Sequence, residues 1–173
     1  MTTKTNRIIG VALTLMTLLS GCSTLPYLDG SGQDEPVHLV LENKGNTSHT
    51  FKVAVVERPG PIQIFHSDGD VVNRTIGEGT AQTTPSDSIR FEKIEFPNSA
   101  RQYGIFSLEP DESIERDISN LSSDIAIVVV AYNDRDEIIE LVTANCGGLA
   151  LTDLKILKHS KGSQGVSIAH SCG

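Results

Sequence analysis

Ile125-Ala126-Ile127-Val128-Val129-Val130-Ala131-Tyr132 is apolar without a break. Eight residues is strand length, too short for a typical buried helix, and five of the eight are β-branched. A strand with no polar phase has no face to offer to water. It therefore reads as a central strand covered on both sides. The polar run Asn133-Asp134-Arg135-Asp136 is the turn after it. Ile138 to Thr143 returns as its partner strand and leads to Cys146, and Gly147-Gly148 ends the pair.

Working outward, the same alternation recurs in weaker form. Val37, Leu39 and Leu41 share one phase, as do Phe51, Val53 and Val55, so 37–41 and 51–55 read as an antiparallel hairpin around Asn43 to Ser48. Arg58-Pro59-Gly60-Pro61 stops the second strand, because proline cannot donate to a ladder. Ile62 with Ile64, and Val71 with Val72, mark short strands around the turn Ser67-Asp68-Gly69-Asp70. Gly77 to Asp87 reads as a polar loop. Ile89 and Phe91 alternate in one phase and Ile94 and Phe96 in the other, a slip at Glu92-Lys93 that points to a bulge or to a strand that bends between sheets. Further strands are expected at 103–108, 113–118, 149–157 and 166–169, the spacing of 149–157 also allowing a short helix.

About eight or nine short strands with frequent turns and no amphipathic helix predict an all-β domain over 37–173. The expected architecture is an antiparallel two-sheet sandwich around one core. It resembles the broad immunoglobulin-like class, without that class's Cys-Trp-Cys pattern, since the chain has no tryptophan.

The first 22 residues follow a different logic. Lys4 and Arg7 precede an apolar run from Ile8 to Leu19, which ends in Leu19-Ser20-Gly21-Cys22. As a helix the run would reach about 18 Å, short of the ~30 Å hydrocarbon core, so a spanning helix is disfavoured and a signal-peptide core is favoured. Leu19-Ser20-Gly21-Cys22 resembles the lipobox of prokaryotic lipoproteins: an aliphatic residue, two small residues, then the modified cysteine. The resemblance implies removal of 1–21 as a signal peptide and a diacylglyceryl group on Cys22. Two acyl chains give stable membrane attachment where one does not. Residues 22–36, with Pro26, Gly30, Gly32 and Pro36, then read as the lipidated cysteine and a flexible tether.

Without Lys4 and Arg7 the mature chain carries twelve basic against twenty-two acidic residues, so its net charge moves from −8 to −10. Such a surface argues against nucleic acid and against electrostatic adhesion to anionic lipid. The acidity, lipobox and β-rich body together resemble archaeal surface lipoproteins from salty habitats.

With Cys22 assigned to lipid, Cys146 and Cys172 remain as an even pair in an exported chain. A disulfide is the expected state, with two free thiols or a metal or redox role as the alternatives.

Other chemistry finds little support. No Gly-x-Ser-x-Gly occurs, and Gly162-Ser163-Gln164-Gly165 lacks its spacing. The histidines at 38, 49, 66, 159 and 170 are scattered and read as solvated or strand-face residues. His170 with Cys172 is half of a copper site, but blue copper needs a second histidine and usually an axial thioether, and both methionines lie in the signal segment. Asp68 and Asp70 lack the remaining ligands of a calcium loop. Gly77-Glu78-Gly79 is not completed into a dinucleotide fingerprint. No metal and no cofactor is expected. Asn46, Asn73 and Asn120 each begin an N-x-Ser/Thr sequence in or beside an expected loop, where a glycan could be tolerated.

The expected function is a non-catalytic structural or interaction module on the outer side of a cell membrane. The membrane is its partner through the lipid on Cys22, and a protein of unknown identity is the second. The alternative is an accessory lipoprotein that captures ligand beside a membrane transporter.

Overall fold

The computed structural model describes residues 35–57, 60–122, 125–159 and 165–173. Residues 1–34, with Cys22 and most of the expected tether, lie outside the described residues. Every regular element among those described is a strand. In order they are β1 (Val37–Asn43), β2 (His49–Glu57), β3 (Pro61–His66), β4 (Val71–Thr75), β5 (Gly79–Thr83), β6 (Phe91–Glu95), β7 (Arg101–Leu108), β8 (Ser113–Ile118), β9 (Ile125–Tyr132), β10 (Ile138–Asn145), β11 (Leu151–Lys158) and β12 (Val166–Cys172). They form a four-stranded sheet ordered β12-β11-β1-β8 and an eight-stranded sheet ordered β4-β3-β6-β10-β9-β2-β7, with β5 paired to β10 beside that path. The expected all-β two-sheet sandwich is what the chain forms.

β9 sits between β10 and β2 and is buried along its first seven residues. Its two faces enter two different cores. Ile125, Ile127, Val129 and Ala131 pack with Leu39 and Leu41 of β1 and Leu154 and Ile156 of β11, between the sheets. Ala126, Val128 and Val130 pack instead with Ile62 and Ile64 of β3 and Phe91 of β6. The eight-stranded sheet can cover its own outer face because it is nearly severed at β6: only Ile138 and Phe91 join β6 to β10. Strands β3 and β6 thus supply the apolar cover that an unbroken apolar strand requires.

Four details depart from the expectation. There are twelve strands, not eight or nine, among the described residues. The strand with no expected counterpart is β5, whose sequence Gly-Thr-Ala-Gln-Thr has no apolar alternation, whereas β4 stands where Val71 and Val72 marked a strand and is exposed throughout. The 77–87 segment is accordingly not all loop. Its β5 part pairs with β10 from Leu141↔Thr83 to Asn145↔Gly79, satisfying backbone groups that the short β6 contact leaves open.

The sandwich is also not wholly antiparallel, since β1 runs parallel to β11. Nor do β1 and β2 form a hairpin: β1 belongs to the smaller sheet and β2 to the larger. Asn43 explains the crossing. Its Nδ2 donates to Thr47 O at 2.9 Å and to Leu108 O at 3.0 Å, and its Oδ1 accepts from Gly45 N at 2.9 Å. These bonds turn the chain out of one sheet and into the other. A Cβ at position 45 would stand 2.8 Å from Asn43 Oδ1, so any other residue there would have to displace the Asn43 side chain.

The slip at Glu92-Lys93 is a bulge. Phe65 pairs with Lys93 but His66 with Phe91, leaving Glu92 as the extra residue.

Candidate functional site

Among the described residues the buried polar side chains are Asn43, His49, Glu140, Thr143, Asn145 and Lys158. Four of them gather at one end, where the Lys44–Ser48 corner meets the turn after Leu108, the Asn133–Glu137 turn and the end of β11. Backbone bonds hold three of these segments together: Asp111 N to Asn43 O at 2.8 Å, Asn43 N to Glu112 O at 2.9 Å, and Lys44 N to Lys158 O at 2.8 Å. Beneath them lie four polar residues that each continue an inward strand phase: Asn43 (0 % exposed), His49 (6 %), Glu140 (0 %) and Lys158 (9 %).

Each titratable member of this group is perturbed mainly by its burial. Desolvation raises the Glu140 carboxyl above its ordinary range, against the opposing effects of bonds from Thr84 and Gln82 and the charge of Lys158. Burial lowers the Lys158 ammonium, with Glu140 acting the other way. It also lowers His49, whose Nδ1 lies 2.9 Å from Thr47 O. Thr84 Oγ1 donates to Glu140 Oε1 at 2.8 Å, while Glu140 Oε2 is buried without a protein partner. No ion pair within 4 Å joins Glu140 to Lys158 among the described residues. Burial thus disfavours the charged form of both groups, and the charge of each opposes that effect on the other.

The opposite end holds the cysteines. Cys146, one residue beyond β10, forms a disulfide with Cys172, the last residue of β12, with Cα atoms 5.8 Å apart. The bond staples the larger sheet to the smaller. It also fastens a terminal strand that pairs with β11 alone. His170, two residues before Cys172 and so in the same strand phase, lies beside it.

The remaining candidates are dispersed. Asn46 and Asn120 are exposed in loops, whereas Asn73 is exposed in the middle of the edge strand β4, not in a loop. His38 is bonded to Asp117 at 3.0 Å on the outer face of the smaller sheet, and His66 stacks on Phe91. His159 Nε2 is bonded to Ser167 Oγ, and among the described residues no carboxylate completes a triad there. Asp68 Oδ1 accepts from Asp70 N at 3.1 Å, an ordinary turn bond.

No protein-family model matches the chain, and no curated protein matches it.

The polar end was missed in the sequence, and its signal was faint. Asn43 continues the Val37, Leu39, Leu41 phase and Lys158 continues the Leu154, Ile156 phase. A polar residue closing an inward phase is more often a strand end reaching water.

Proposed function

We propose that this chain is a lipid-anchored extracytoplasmic surface protein whose sandwich serves as a non-catalytic structural or interaction module. The observation that carries the reading is the N-terminal order of Lys4 and Arg7, a 12-residue apolar run from Ile8 to Leu19, and Leu19-Ser20-Gly21-Cys22. Cys22 bears two acyl chains, which is sufficient for stable attachment. The Cys146–Cys172 disulfide lends indirect support, because such bonds persist in oxidising compartments.

The domain begins at Val37, on the same side of the sandwich as the disulfide, since β1 and β11 run in parallel and Leu151 pairs with Cys172. The 44–48, 109–112 and 133–137 loops lie at the other end of the sandwich from Val37. That end meets the partner.

Cell fractionation tests the anchor. Cys22→Ser is expected to move the protein from the membrane to the soluble fraction, and continued retention of the variant contradicts the reading. Photocrosslinkers at Asn46 and Asp111 are expected to capture a protein neighbour in intact cells, while one at Leu149 is not. Equal capture from both ends contradicts the assignment of the partner-facing end.

A further inference from the structure

Cys146, His170 and Cys172 offer ligand atoms that all lie within 4.8 Å of one another. The two sheets bring them together: Cys146 follows β10 of the larger sheet, and His170 and Cys172 share one phase of β12 in the smaller. Thr80 on β5 puts its Oγ1 3.4 Å from His170 Nδ1, the kind of outer partner that orients a ligating imidazole. Cys172 is exposed and the other two are half-buried, so the cluster is open to solutes.

We propose that these residues are a two-state site: a disulfide when oxidised and, once reduced, a Cys2His site for one borderline-soft divalent cation of the Zn2+ class. The fourth coordination position faces solvent. Reduction proceeds by exchange with a small dithiol. Its thiolate attacks the exposed Cys172 sulfur, the S–S bond breaks, and Cys146 leaves as a thiolate. The second thiol of the reductant then attacks the mixed disulfide and releases Cys172. Two electrons pass to the protein, and the reductant ends as its own cyclic disulfide. The cation then displaces the protons of both thiols.

The dimensions suit this. Tetrahedral Zn2+, with Zn–S about 2.3 Å and Zn–N about 2.0–2.1 Å, needs ligand atoms roughly 3.5–3.8 Å apart. The two sulfurs must separate on reduction, and no other pair needs to close by more than about 1.3 Å. Two thiolates and an imidazole discriminate against Ca2+ and Mg2+, which take oxygen ligands. The cation would join the same two sheets that the disulfide joins, so the terminal strand stays fastened in either state.

Co2+ is the probe, in the full chain carrying Cys22→Ser, which removes the one other thiol. The dithiol-reduced chain, freed of reductant without air, is expected to bind one Co2+ with a thiolate-to-cobalt charge-transfer band. The oxidised chain is expected to show none. His170→Gln is expected to weaken binding by at least about tenfold, since a direct ligand costs no less than an outer partner. The proposal is overturned if the reduced chain shows no such band at stoichiometric Co2+, or if His170→Gln binds as tightly. It is also overturned if reduction abolishes the β-sheet circular dichroism and Co2+ does not restore it.

Discussion

Asn43, the last residue of β1 in the smaller sheet, donates its side-chain amide to the carbonyl of Leu108 at the end of β7 in the larger sheet. A single buried side chain thus spans the sandwich at the corner where the chain changes sheets. Asn43→Ala removes the buried bond to Leu108 O, the bond to Thr47 O and the acceptor for Gly45 N. The expected loss is about 2–3 kcal/mol of stability in urea or thermal denaturation. Asn43→Asp keeps the acceptor to Gly45 N but replaces the donor with a buried charge, and is expected to be at least as damaging near neutral pH.

His49 and His38 are expected to titrate on opposite sides of the ordinary histidine value of about 6.5. Burial lowers His49, so the unfolded chain takes that proton first. Its effect is a loss of stability as pH falls from about 6.5 toward the depressed folded value. The bond to Asp117 raises His38, whose contribution is present below about pH 6.5 and is lost as pH rises through the elevated folded value. Proton NMR of the imidazole resonances checks the order. A His49 midpoint above that of His38 contradicts it.

Glu140 keeps its proton to a higher pH in the folded chain than in the unfolded one, so stability falls as pH rises from about 4.5 through the raised folded value. Glu140→Gln retains an acceptor for Thr84 and carries no charge. Its melting temperature is expected to match the wild type at low pH and to exceed it near pH 7. A less stable variant at pH 7 would mean that attraction to Lys158 outweighs burial.

Much of the fold was legible because apolar periodicity is a direct record of which face meets water. The unbroken 125–132 run marked the strand with two cores, and the phase slip at Glu92 marked a real bulge. The illegible parts had other causes. β5 is held by a backbone ladder, which leaves no side-chain pattern to read. The false hairpin at 43–48 follows from judging a connection by its length, when three hydrogen bonds from Asn43 decide its direction. The cysteine pair was expected, but the nearness of His170 to Cys146 depends on how the two sheets face each other, which strand phase alone does not give.

Cys146→Ser or thiol reduction without added metal removes a cross-link that closes a 26-residue separation. Loop-closure entropy puts the expected loss at about 3.5 kcal/mol. Hydrogen exchange is expected to quicken first in β12, which pairs with β11 alone. Uniform quickening across β9 and β12 would contradict a local staple.

The anchor remains the central claim, and mass spectrometry of the protein purified from its own membranes tests it most directly. The account predicts a mature chain that starts at Cys22, carries a diacylglyceryl group on that sulfur, and lacks residues 1–21. A chain that retains Met1 and an unmodified thiol at position 22 would contradict it.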